Sequence, residues 1–195
     1  TAVEIPIIQR DFAQGRTDPD TSAIRRQFLN ALLSAASSGD SLGLDFVYGE
    51  LNPHGVFRPL DGQQRLTTLF LLHWYAASVT GNLATDAKWL RLTYATRPTA
   101  QHFSEALGGH PLPSADLDPS EWIQDQPWYL YPWRSDPTVQ SMLVMLHEIH
   151  RHVVDGAIDL QKVWENLARE NDPVIWFLFL TVEDRSRGED LYIKM

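Results

Sequence analysis

Apolar positions recur along this chain in two periods, and the changes of period mark the elements they predict. Ile24, Phe28, Leu29, Leu32 and Leu33 recur at helical spacing and run out at Ser37-Ser38-Gly39. Asp20 or Thr21 is expected to cap that helix. Ahead of it, Glu4 to Gln9 reads as a short β run, with Pro6 placing it at a strand start or a sheet edge. An irregular stretch from Arg10 to Asp20 joins the two. Leu44 to Tyr48 and Val56 to Leu60 read as two strands of a hairpin around Asn52-Pro53-His54-Gly55. Asp61-Gly62 breaks the second strand. From Gln64 to about Val79 the pattern is helical and almost wholly apolar after Leu66, which predicts a helix at the centre of a core.

The later pattern is less regular. Leu90 to Ala95 is expected to be a strand, and Arg97-Pro98 to open a short helix through Phe103 and Leu107. Gly108 to Ser120 reads as a loop. Asp118-Pro119 and Asp136-Pro137 each put a capping Asp before a first-turn Pro, a helix-start signal. The second of these helices should run to about Val153, with Met142, Leu146 and Ile149 on one face. Leu160 to Arg169 predicts a further helix. Val174 to Glu183 is apolar almost throughout, which predicts a strand buried on both faces. The fold class expected is α+β, with a compact unit over residues 1–81 and a mainly helical extension over 82–195 that ends in that strand.

Composition narrows the class. The 195 residues are 44% hydrophobic and 21% charged, as in ordinary globular proteins. The seven tryptophans are expected in large apolar contacts. With no cysteine there is no disulfide or thiolate chemistry, and a cytoplasmic location is the simplest expectation. No segment has the roughly 18 apolar residues of a membrane span, and the first residues lack a signal-peptide pattern. The net charge of −9 argues against a protein that coats nucleic acid, but not against a local basic site. Arginine dominates the positive charge, since lysine occurs only at Lys88, Lys162 and Lys194, and its planar fork suits phosphate.

The chemistry concentrates in Phe57-Arg58-Pro59-Leu60-Asp61-Gly62-Gln63-Gln64-Arg65-Leu66-Thr67-Thr68-Leu69. A strand ending in a Gly turn that feeds a helix leaves first-turn N–H groups at the positive end of the dipole, a favourable place for an anion. Gly62 lets backbone approach, Arg65 offers a bidentate phosphate ligand, and Gln63, Gln64, Thr67 and Thr68 offer amides and hydroxyls. Asp61 suits a metal-bound water better than the phosphate itself. The competing reading makes Asp61 a helix cap and Arg65 half of a surface ion pair. A second segment, Ile5 to Arg16, places Gln9, Arg10, Asp11 and Phe12 before Gly15 and Arg16, and two arginines beside a glycine loop could hold a phosphate or a base edge. Taken alone it reads more simply as a solvated loop.

Taken together, Ile5-Pro6 through Gln9-Arg10-Asp11-Phe12 and Asp61 through Leu69 resemble the amino-terminal domain of the GmrSD and SspE restriction family, which is related to the ParB and sulfiredoxin nucleotide-binding fold. Tyr94 to Phe103, Trp133 to Leu146 and Asp190 to Met195 resemble later blocks of that family, so the resemblance spans nearly the whole chain. It implies a ParB-like small mixed sheet in residues 1–81. It also implies an NTP and Mg2+ site at Asp61, Gly62, Gln63, Gln64, Arg65, Thr67 and Thr68, with Asp61, Gln63, Gln64 and Arg65 catalytic and Asp61 holding the metal. Gln9 and Arg10 would bind nucleotide, and Arg10, Asp11, Phe12 and Arg16 would sense DNA or nucleotide. The implied activity is that of a DNA-sensing NTPase in a modification-dependent phage-defence system, partnered by an HNH-type nuclease domain or subunit. Family members commonly carry Pro-Tyr where this chain has Asp11-Phe12, which removes a phenol hydroxyl. They also continue past Ile193-Lys194-Met195, so a fragment or one subunit of a split system is expected here.

Three readings follow: a DNA-sensing NTPase, a nucleotide-gated DNA- or protein-binding module without turnover, and direct DNA nicking. The last is weakest, because no nuclease motif is visible. His147-Glu148-Ile149-His150 lacks one residue of the zinc-protease spacing and is read as a solvated helix face.

Overall fold

The computed structural model describes residues 2–6, 13–15, 18–84 and 90–181. Its five strands are β1 (Ala2–Ile5), β2 (Leu42–Leu51), β3 (Val56–Pro59), β4 (Leu92–Tyr94) and β5 (Ile175–Thr181). The helices are α1 (Pro19–Ser38), α2 (Gln63–Val79), α3 (Pro98–Gly109), α4 (Pro119–Gln124), α5 (Pro137–Asp155) and α6 (Leu160–Leu167), with single 3-10 turns at Ala13–Gly15 and Tyr131–Ser135. The protein is α+β, as the patterning predicts.

The strands form one mixed sheet in the order β4-β1-β3-β2-β5. β1 runs parallel to β3 and β4, β2 is antiparallel to β3, and β5 is parallel to β2. The β2–β3 hairpin closes as expected. Asn52 Oδ1 accepts the N–H of His54 and of Val56, both at 2.9 Å, and Gly55 takes the left-handed φ of 75° that the turn needs. Along the strands, buried Ile5, Val47 and Phe57 alternate with partly exposed Glu4 and Arg58. Because Val3 is in register with Phe57, Glu4 and Arg58 meet across the strands in a 2.5 Å ion pair.

Three helices begin on the same device: Asp18, Asp118 and Asp136 each cap with a carboxylate oxygen, and Pro19, Pro119 and Pro137 follow. Asp159 caps α6 in the same way without the proline. For α1 this corrects the expected Asp20 or Thr21. The carboxylate of Asp18 accepts the Thr21 N–H at 2.9 Å, so the helix starts earlier and Asp20 lies within its first turn.

α2 is the central helix. Leu71, Leu72, Trp74, Tyr75, Ala76 and Ala77 are all fully buried, and Trp74 Nε1 donates to the Leu107 carbonyl at 2.7 Å. Its surroundings come from the whole chain: Leu29 and Leu32 of α1, Phe103 and Leu107 of α3, Met142 and Leu146 of α5 and Val163 of α6 share one core cluster with it. β4 and β5 complete the sheet, so the segments on either side of residue 81 share one sheet and one core. Trp133 is buried and its ring packs against Phe103 and Trp128, in line with the apolar role expected of the tryptophans.

β5 departs from expectation. It is an edge strand among the described strands, and Trp176, Leu178, Phe179 and Leu180 are 40–59% exposed. An apolar run fits a buried central strand, but with one neighbour instead of two this one stays half in solvent.

Candidate functional site at the start of helix α2

β3 ends at Pro59, and the N–H groups of Leu60 and Asp61 both turn back to the Tyr48 carbonyl, at 2.9 and 3.2 Å. Gly62 then takes φ 87°, and a Cβ at that position would lie 2.8 Å from the Val47 side chain. Left-handed φ and this close approach each call for glycine. Gly62 is the N-cap of α2 and has no side chain with which to cap it. The Leu66 N–H enters the helix ladder by bonding the Gly62 carbonyl at 3.0 Å, and the three residues before it form the first turn.

Asp61 is therefore not the helix cap. Its carboxylate instead lies 3.4 Å from Arg65 Nη2, which is the ion-pair half of the competing reading. Arg65 also donates to the Phe46 carbonyl at 3.0 Å and reaches Asp45 at 4.0 Å. The pairing of β2 with β5 slips between Leu44 and Phe46, leaving Asp45 as an extra residue whose side chain is 86% exposed. Such bulges re-aim side chains, and this one turns a second carboxylate toward Arg65.

The other residues of the motif face elsewhere. Gln63 Nε2 donates to the Pro59 carbonyl at 3.0 Å. Gln64 Oε1 accepts the Gln14 N–H at 3.3 Å. The hydroxyl of Thr68, fully buried, lies 2.6 Å from Gln14 Oε1, with the Gln64 carbonyl as its alternative acceptor at 3.0 Å. Thr67 is buried against the Tyr94 hydroxyl at 3.3 Å, and burial pushes the Tyr94 phenol well above its ordinary range. The structure thus puts Asp61, Gly62, Gln63 and Arg65 at the mouth of the helix and turns Thr67 and Thr68 into the interior. Gln9, Arg10, Asp11, Phe12 and Arg16 lie outside the described residues.

Several residues that the sequence did not single out take part. Gln14 joins the two motif segments, and Arg25, 3% exposed, donates from Nη1 to the Gln14 carbonyl at 2.7 Å. Desolvation lowers the Arg25 guanidinium from its ordinary value, opposed by Glu148 at 3.7 Å. The signal was present: Arg25 stands at the spacing of the apolar stripe Leu29, Leu32, Leu33 and Ala36. Asp45 gave no signal, since a bulge has no local pattern.

Beside the start of α2, a cavity of about 320 Å³ is lined by Val3, Val47, Phe57, Leu66, Phe177 and Phe179. It shares Val47 with the Gly62 contact, and among the described residues its lining side chains are all apolar. The histidines of α5 have separate partners: His147 on Asp118 at 2.5 Å and His150 on Tyr75 at 3.0 Å. Among the described residues no group of three or more His, Asp or Glu side chains could hold a metal. A nucleotide-borne Mg2+ needs fewer, since it is held by one or two carboxylates together with phosphate oxygens. Asp61 and Asp45 are the two carboxylates at the helix mouth, both facing Arg65.

No family model matches the chain, and neither the comparison with curated proteins nor that with solved structures finds a relative. Among the described residues no helix is long and apolar enough to cross a membrane.

Proposed function

We propose that this chain binds and hydrolyses a nucleoside triphosphate at the start of α2, as the DNA-sensing module of a modification-dependent phage-defence system that works with an HNH-type nuclease. The observation that carries the reading is the glycine-led start of α2 with Arg65 beside it. The positive end of the helix dipole favours an anion there, and the residues Asp61 to Leu69 supply the resemblance to the restriction family.

In this reading the backbone of Gln63, Gln64 and Arg65 receives phosphate oxygens, and Arg65 exchanges its carboxylate partners for phosphate. Asp61, helped by Asp45, holds Mg2+, which neutralises charge developing on the phosphate oxygens. Gln63, whose Nε2 donates to the Pro59 carbonyl at the helix mouth, orients the attacking water. Phosphoryl transfer needs little beyond such positioning and electrostatic stabilisation. A second reading, nucleotide-gated binding without turnover, is favoured by the two carboxylates already facing Arg65, which hold the free site in a neutralised state.

Phosphate release from ATP, GTP, CTP and UTP with Mg2+, with and without DNA, tests the two. Turnover lost in Arg65→Ala supports the hydrolase. Binding lost in Arg65→Ala with no turnover in wild type supports the gated module. Absence of both in wild type removes the nucleotide reading.

A further inference from the structure

We propose that Gln14 is a positioning residue: it keys the turn Ala13–Gly15 onto the first turns of α2, and Gln64 and Thr68 serve that joint rather than the ligand. The nucleotide part of the inference rests on the proposed function; the joint itself does not.

Gln14 is held at three points. Its N–H goes to Gln64 Oε1, its carbonyl accepts from Arg25 Nη1, and its side-chain oxygen lies 2.6 Å from the Thr68 hydroxyl. Those bonds come from α1 and α2. A third helix closes the joint, because a Cβ on Gly15 would lie 2.1 Å from the Ser141 carbonyl oxygen of α5. A solvated loop requires none of this.

Two buried polar side chains converge on it, the Thr68 hydroxyl with the Gln64 carbonyl also within reach at 3.0 Å. Thr68 puts a hydroxyl in a fully buried position of an apolar helix, and a buried hydroxyl is tolerated when it is hydrogen-bonded. Arg25 places a guanidinium on the apolar stripe of α1 and uses it on the Gln14 carbonyl and on Ser22, with Glu148 near. The turn is short, and in the chain Arg16 follows Gly15 directly while Arg10 stands four residues before Gln14. Fixing Gln14 fixes the side chains of Gln64 and Thr68 on the helix whose start is the candidate phosphate site.

The test uses the full chain and two readouts, amide exchange at Gln14 and titration with Mg·ATP, Mg·GTP, Mg·CTP and Mg·UTP. Thr68→Ser keeps the hydroxyl, Thr68→Val keeps the shape without it, and Gly15→Ala obstructs the approach to α5. The Gln14 amide is expected to be protected in wild type and Thr68→Ser, and to exchange roughly tenfold faster or more in Thr68→Val and Gly15→Ala, as for a buried bond left unmade. Nucleotide affinity is expected to fall in those same two variants and to be restored in Thr68→Ser. Fast Gln14 exchange in wild type, or Thr68→Val exchanging like wild type, overturns the joint. A loosened joint with unchanged nucleotide affinity overturns its positioning role. Should wild type bind none of the four nucleotides, the nucleotide reading fails while the exchange data still decide the joint.

Discussion

Arg65 donates to the carbonyl oxygen of Phe46 at 3.0 Å, which ties the first turn of α2 to the bulge in β2. That bond fixes the guanidinium between two carboxylates, Asp61 at 3.4 Å and Asp45 at 4.0 Å. The cation proposed to meet a phosphate is thus already partnered, and a ligand would have to compete for it.

The competition has a measurable sign. Asp45→Asn and Asp61→Asn each remove a carboxylate facing Arg65, so both are expected to tighten binding of Mg-free tripolyphosphate. A unit charge about 4 Å away in high dielectric is worth about 1 kcal/mol, which is roughly fivefold. The same variants are expected to weaken Mg2+-dependent turnover. Titration calorimetry with and without Mg2+ checks this, and tighter binding in both conditions would assign the carboxylates to Arg65 alone.

Gly62 is the backbone requirement of the site. Gly62→Ala must hold an L residue at φ 87° against Val47, and is expected to destabilise the fold by about 1–3 kcal/mol. Urea unfolding measures the loss. Pairing the change with Val47→Ala is expected to recover the steric part and not the conformational part.

His73 makes stability depend on pH. Desolvation holds its imidazole below the ordinary range, partly offset by hydrogen bonds to the Leu69 and Leu167 carbonyls. A depressed folded value means that the unfolded chain takes up the proton first. The contribution is then complete above the ordinary histidine value of about 6.5 and is lost as the pH falls from there through the depressed one. Thermal midpoints between pH 7 and 5 are expected to fall more steeply in wild type than in His73→Gln.

The apolar edge strand should govern solution behaviour. β5 carries no charge or proline over Ile175–Thr181, the usual protections of a sheet edge. Leu178 is 59% exposed, the most exposed of the large apolar side chains on the strand. Sedimentation velocity is expected to show concentration-dependent association in wild type that is reduced in Leu178→Lys. A monomer at all concentrations in both would show the edge to be harmless.

Helical spacing made α1, α2 and α5 legible, and the Asp-Pro pairs placed the starts of α4 and α5. The same Asp-Pro pair stands at Asp18-Pro19, where α1 begins. Strong apolar character correctly marked β5 as a strand and misplaced it, because hydrophobicity reports what a segment would prefer to touch and not how many neighbours it has. At the site, Gly62 and Arg65 were legible from local chemistry. The inward turn of Thr67 and Thr68, the bulge at Asp45 and the joint at Gln14 depend on contacts between residues far apart in sequence, which no local spacing encodes.

The central claim is that the start of α2 holds the phosphates of a nucleotide. Equilibrium titration of wild type and Arg65→Ala with ATP, GTP, CTP and UTP in Mg2+ tests it most directly, with circular dichroism confirming that both are folded. Saturable binding of at least one nucleotide by wild type, weakened tenfold or more in Arg65→Ala, is the predicted result, since a charge-assisted bond is worth about 1.5–3 kcal/mol. Equal binding by the two proteins, or none by either, would contradict it.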